Sequence, residues 1–152
     1  MNLILLTHSR EIQKPSNTGK LVQAVITQCK TIIWQRTQAD ESLLQLIQAG
    51  NTALIYPAED TPCEAAELHH FEHFIIIDST WQEARKIYNR SPYLQKLPRI
   101  QLFSKPSVYN LRRNQITGGL CTAECAIELL HAAQNSAQAS ELERAFHAFL
   151  TR

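Results

Sequence analysis

Apolar and polar positions alternate along this chain between two rhythms, short unbroken apolar runs and longer stretches with helical spacing. Leu3–Leu6 is a short buried strand by this pattern, followed by Asn17-Thr18-Gly19 and an amphipathic run with Leu21, Val22, Val25 and Ile26 at helical spacing. Thr18 is the expected cap of that helix. Thr31–Trp34 is a second strand, and Asp40–Ala49 places Leu43, Leu44 and Ile47 on one helical face before the stop at Gly50. Thr52–Tyr56 reads as a third strand closed by Pro57, and Ala58–Glu72 as an acidic, then His-rich segment of ambiguous type. Phe74–Ile77 is the most apolar strand, as expected at the centre of a parallel sheet. Thr80-x-x-Glu83 is a capping box opening a helix that Ser91-Pro92 ends. Arg99–Leu102 is a fifth strand, Phe103–Gly119 a long polar loop or hairpin, and Cys121–Gln134 and Glu141–Leu150 are amphipathic helices. The alternation predicts an α/β fold: one domain over residues 1–152, its central sheet mostly parallel with helices on both faces.

The most informative segment is Phe74-Ile75-Ile76-Ile77-Asp78-Ser79-Thr80-Trp81, where an apolar run ends in a lone carboxylate and a helix starts at once. In open α/β sheets ligands bind beyond the carboxyl ends of strands, beside helix N-termini. Asp78 falls there by sequence alone. A second candidate is Gly118-Gly119-Leu120-Cys121-Thr122-Ala123-Glu124, where two glycines let the backbone approach a ligand before a helix opens.

Composition narrows the chemistry. A chain of 152 residues suits a single core, and no apolar run approaches the roughly 20 residues of a membrane span. The start lacks a basic lead and a long apolar run, so a cytoplasmic protein is expected. Cys29, Cys63, Cys121 and Cys125 form no Cys-x-x-Cys pair and read as buried small hydrophobes. Cys63, His69, His70 and His73 match no zinc module, and no metal is expected. With four glycines and no Gly-x-Gly-x-x-Gly, a dinucleotide fingerprint is absent. Net charge is +1, yet eight of the fifteen basic residues lie between Ala84 and Ala123, a stretch without Asp or Glu. Trp81, Tyr88, Tyr93 and Tyr109 interleave with them, which suits a nucleic-acid partner.

Asp78-Ser79-Thr80-Trp81 with Ala84-Arg85-Lys86 resembles the Asp-x-Thr-Trp signature of the DTW-domain proteins. So do Glu11 with Asn17-Thr18-Gly19-x-Leu21, Leu54-Ile55-Tyr56-Pro57, Ser91-Pro92, Leu97-Pro98-Arg99, Ser107-x-Tyr109-x-Leu111-Arg112 and Thr122-x-Glu124, in order from about Leu3 to Leu130. The resemblance implies transfer of the 3-amino-3-carboxypropyl group of S-adenosylmethionine to N3 of a uridine in tRNA, with release of methylthioadenosine. It also implies a SPOUT-like fold with a C-terminal trefoil knot, against the general rule that chains do not knot. Under it Asp78 is the catalytic base or the group that orients N3–H. Tyr56, Pro57, Thr80, Leu97, Pro98, Leu120, Cys121, Thr122 and Glu124 hold S-adenosylmethionine, while Arg10, Trp81, Arg85, Lys86, Arg112 and Arg113 contact RNA. Knotted relatives are often dimers, which leaves a homodimer open, and no obligate protein partner is evident. The chain departs from the family in lacking an N-terminal four-cysteine cluster, in Ser79 where Gly is common, and in Cys121 and Cys125 where Ser and Ala are common. Two other functions fit the same residues: an RNA methyltransferase using the same donor, and a non-catalytic RNA-binding module.

Overall fold

In a computed structural model of the chain, residues 1–56, 68–100, 102 and 121–152 are described. Among them are five strands: β1 (Asn2–Thr7), β2 (Cys29–Ile33), β3 (Thr52–Ile55), β4 (His73–Asp78) and β5 (Arg99–Ile100). The helices are α1 (Gly19–Val25), α2 (Glu41–Ala49), α3 (Trp81–Asn89), the single turn α4 (Pro92–Gln95), α5 (Thr122–Ala132) and α6 (Ser136–Leu150). The strands form one sheet in the order β2-β1-β4-β3-β5, and every pairing is parallel.

The unbroken apolar runs follow from that arrangement. Successive strand residues point to opposite faces, and both faces are covered. Leu3, Leu5, Phe74 and Ile76 pack against Val22 of α1, Leu129 and Leu130 of α5 and Leu142 of α6. Ile4, Leu6, Ile75 and Ile77 pack on the other face against Leu43 of α2, Ala84 and Ile87 of α3 and Leu94 of α4. Asp78 continues the parity of Phe74 and Ile76, so its side chain turns to the α1/α5 face. No helix among the described residues is long and apolar enough to cross a membrane.

Several expected boundaries move. β2 begins at Cys29 rather than Thr31, and β4 runs on to include Asp78. Ser91-Pro92 does end α3, but Pro92 also opens α4, where a missing N–H at the first position costs nothing. α6 starts at Ser136, five residues before the expected Glu141, because Asn135 Oδ1 accepts from Gln138 N and caps it there. His73 is a strand residue and so shares no helical face with His69. The expected loop at Phe103–Gly119, the ambiguous segment up to Glu67 and, within it, Cys63 lie outside the described residues.

Candidate functional site

β1 and β4 form the central pair, and from them the strand order departs in opposite directions. This is the switch point at which open parallel sheets bind ligands. The register places Thr7 opposite Asp78 at its carboxyl edge.

Asp78 is 2% exposed, and its carboxylate is surrounded by donors rather than by hydrocarbon. Thr7 Oγ1 donates to Oδ2 at 3.2 Å. Asn17 Nδ2 lies 3.1 Å from Oδ1 and 2.9 Å from Oδ2. Thr122 Oγ1, from the first residue of α5, donates to Oδ1 at 2.7 Å. These contacts occupy the roughly four lone-pair directions of a carboxylate. A base at this position must therefore give up, or act through, one of its donors.

The motif Asn17-Thr18-Gly19 is built around that acid, each residue with its own task. Asn17 binds Asp78 through its amide nitrogen, while its Oδ1 accepts from Lys20 N at 3.0 Å and holds the first turn of α1. Gly19 makes room: a Cβ there would meet Asp78 Oδ2 at 2.5 Å. Thr18 does not cap its own helix as expected, having φ −91°, ψ −10° and no side-chain bond to α1. Its hydroxyl accepts instead from Ala123 N at 3.0 Å, satisfying an orphan donor of α5. Glu124 completes the same terminus, its Oε1 accepting from Cys121 N at 3.1 Å. Glu11 is wholly buried and pairs with Lys14 at 2.9 Å.

Beside this hub a cleft opens at the carboxyl ends of β3 and β4. Ile55, Tyr56, Ile76, Ile77, Ser79, Trp81, Ala84, Thr122 and Cys125 line it. Of the residues named from sequence it brings together Tyr56, Trp81 and Thr122. Ser79 and Cys125 were not singled out for a site, although Ser79 lies within the Asp-x-Thr-Trp signature. Tyr56 stacks on Tyr88 at 4.4 Å between ring centres and stands 6.3 Å from Trp81. Burial and then Tyr88 push the Tyr56 hydroxyl above its ordinary range, with Arg85 and Arg99 pulling the other way, so it stays a neutral donor. Thr80 is spent on the capping box: its hydroxyl accepts from Glu83 N at 3.2 Å, and its own N–H donates to Glu83 Oε1 at 3.3 Å.

Asp78 does not line this cleft. It borders a separate hollow of about 340 Å³ on the β1/α1 side, whose other lining residues include Leu5, Ile12, Lys20 and Ala24. Leu97 is buried, and the Pro98 carbonyl accepts from Leu54 N at 2.9 Å, which ties β5 to β3. Arg10, Arg85 and Lys86 are exposed. Pro57, Leu120, Arg112 and Arg113 lie outside the described residues.

Sequence reasoning passed over His8. Its ring stacks on Trp34 at 6.0 Å, its Nδ1 accepts from Arg10 N at 3.1 Å, and Glu83 Oε2 is 3.6 Å away. Trp34 is in turn fixed by donating to Ser91 Oγ at 2.9 Å. The signal was positional: His8 follows β1 as Ser79 follows β4.

A parallel sheet covered on both faces, with a buried acid and a cleft at its switch point, defines an open α/β domain. The DTW domain matches residues 1–152, and the chain belongs to that family. A curated relative from Drosophila melanogaster, named tRNA-uridine aminocarboxypropyltransferase 2, is 28% identical over 138 residues, covering 84% of this chain and 54% of its own. A relative of the same name from Macaca fascicularis is 30% identical over 138 residues, covering 82% of this chain and 45% of its own. The chain thus spans about half the length of these relatives. Among solved structures, the SAM-dependent rRNA:acp-transferase Tsr3 from Vulcanisaeta distributa superposes with a TM-score of 0.65 at 14% identity, over 95% of this chain and 72% of that one. That likeness is one of fold.

Proposed function

We propose that this chain transfers the 3-amino-3-carboxypropyl group of S-adenosylmethionine to N3 of a uridine in tRNA and releases methylthioadenosine. The observation that carries the reading is the coincidence of the family signature with the switch-point cleft: Trp81, Ser79 and Tyr56 surround one opening, and Asp78 stands directly behind it. The names of the relatives support the reaction and the tRNA acceptor, and the implied trefoil knot belongs to the same proposal.

The cleft encloses only about 20 Å³, so what suits the donor is its aromatic side, which can face the sulfonium centre. A cation is favoured over aromatic faces, and Tyr56 and Trp81 offer two in its lining beside the apolar Ile55, Ile76 and Ile77. When bound, the donor supplies an electrophilic methylene next to its sulfur. Choosing that carbon over the methyl group is a matter of alignment, and good alignment contributes roughly 7–11 kcal/mol. The chain's own task is to hold the donor and to take the N3 proton, since a uridine nitrogen attacks only once that proton is leaving. Tyr56, Pro57, Thr80, Leu97, Pro98, Leu120, Cys121, Thr122 and Glu124 form the donor's cradle in this reading. Arg10, Trp81, Arg85, Lys86, Arg112 and Arg113 hold the RNA.

The test is incubation of the protein with S-adenosylmethionine and unmodified tRNA, followed by analysis of both products. Methylthioadenosine and an aminocarboxypropyl-uridine are expected. S-adenosylhomocysteine with a methylated nucleoside would identify a methyltransferase instead, and RNA binding without any affinity for S-adenosylmethionine would leave a non-catalytic module.

A further inference from the structure

We infer that Thr122 is a proton relay between the cleft and the buried Asp78. The inference rests on the aminocarboxypropyl-transfer reading and adds the route by which the acceptor's proton leaves.

Three observations carry it. Asp78 is 2% exposed and does not line the cleft. Thr122 does line it. The Thr122 hydroxyl donates to Asp78 Oδ1 at 2.7 Å, the shortest of the contacts around that carboxylate and typical of a charge-assisted O–H···O bond. Asn17 and Thr7 cover Oδ2, and among the described residues Thr122 is the one that both donates a hydroxyl to the carboxylate and lines the cleft.

A hydroxyl in this place can pass a proton on, because it donates and accepts at the same time. As uridine N3 attacks the methylene carbon, its proton moves to Thr122 Oγ1, and the proton already on Oγ1 moves to Asp78 Oδ1. The new N–C bond forms as the C–S bond breaks, and the electron pair of that bond stays on sulfur in neutral methylthioadenosine. Thr122 ends as a hydroxyl again, now accepting from protonated Asp78. The same path in reverse returns the proton to solvent after product leaves. The threonine thus lets a carboxylate that does not itself line the cleft serve as the base, and because Oγ1 gains one proton as it loses the other, no alkoxide forms.

The experiment compares Thr122→Val, which keeps the shape and removes the hydroxyl, with Thr122→Ser, which keeps the hydroxyl. S-adenosylmethionine affinity by calorimetry, thermal midpoint, and single-turnover transfer to tRNA in H2O and D2O are measured for each. At saturating S-adenosylmethionine, with its affinity for each variant taken from the calorimetry, Thr122→Val is expected to lose transfer by about 10²-fold or more, the usual range for general-base assistance. Thr122→Ser is expected to restore most of the rate and to keep the solvent isotope effect. Transfer by Thr122→Val at the parent rate would overturn the relay and bring uridine to Asp78 from the β1/α1 hollow. Equal loss in the valine and serine variants would overturn it too, and would make Thr122 a packing residue. Absence of methylthioadenosine with the unaltered protein would instead overturn the reaction on which the relay rests.

Discussion

At the scale of the residue, Asp78 is less a free acid at a cleft than the point where three parts of the chain meet. Its partners are Thr7 at the end of β1, Asn17 before α1 and Thr122 in α5. A buried carboxylate is tolerated only where donors replace its water, so each of these contacts supports the fold as well as the site. Gly19 is the tightest constraint. Its replacement by alanine puts a methyl group 2.5 Å from Asp78 Oδ2 and 2.9 Å from Cγ, and the acid cannot retreat without giving up its donors. Gly19→Ala is expected to cost roughly 1–3 kcal/mol in urea unfolding, the usual range for overpacking. A variant as stable as the parent would show that the acid has room to move. Asp78 at a strand tip was legible in the sequence because apolar runs and helix starts are local patterns. Its partners were not: Asn17 lies 61 residues away and Thr122 lies 44 away, and no local rule spans such distances.

At the scale of the element, the helix that follows Asp78 depends on its cap. Thr80 and Glu83 exchange bonds in a reciprocal box, which fixes where α3 starts and therefore where Trp81 stands against Tyr56. Thr80→Ala is expected to destabilise the protein by about 1 kcal/mol, and Thr80→Ser to restore most of it, as read by thermal unfolding. Equal midpoints for all three proteins would remove the box from the account. This element was fully readable, since cap, box and apolar face all lie within nine residues. α6 was readable only from Glu141 on, because Ser136-Ala137-Gln138-Ala139 has no apolar period to reveal it. Its early start became visible only with the Asn135 cap in place. Thr18 failed as a local prediction for the opposite reason. The residue type was right for capping, but the N–H it caps, that of Ala123, lies 105 residues later.

At the scale of the whole molecule, the parallel order β2-β1-β4-β3-β5 buries the sheet on both faces and with it two thiols. Burial, then Asp78, raises the Cys29 thiol from its ordinary 9.0 to about 11, and burial, then Glu124, raises that of Cys121 to about 12. Both groups stay protonated in the folded state while the unfolded chain ionises near the ordinary value. Their contribution is therefore fully present below about pH 9 and is lost as pH rises toward 11 and 12. Urea unfolding between pH 8 and 11 should show stability falling less steeply in Cys29→Ala/Cys121→Ala than in the parent. Parallel curves would mean that the two thiols ionise alike in both states. The class of architecture was evident from alternating runs, because a doubly covered parallel strand needs continuous apolar sequence. The strand order was not, since five similar runs carry no label of who pairs with whom.

The Thr18–Ala123 bond has an implication for how the protein comes into being. A segment made early in synthesis supplies the terminus of a helix made late, and both close over the same acid. Until α5 has emerged, Asp78 has neither Thr122 nor the wall that separates it from the cleft. The surroundings of Asp78 therefore cannot be completed before α5 is made, and a product truncated before α5 would carry the family signature intact and yet be unable to assemble them.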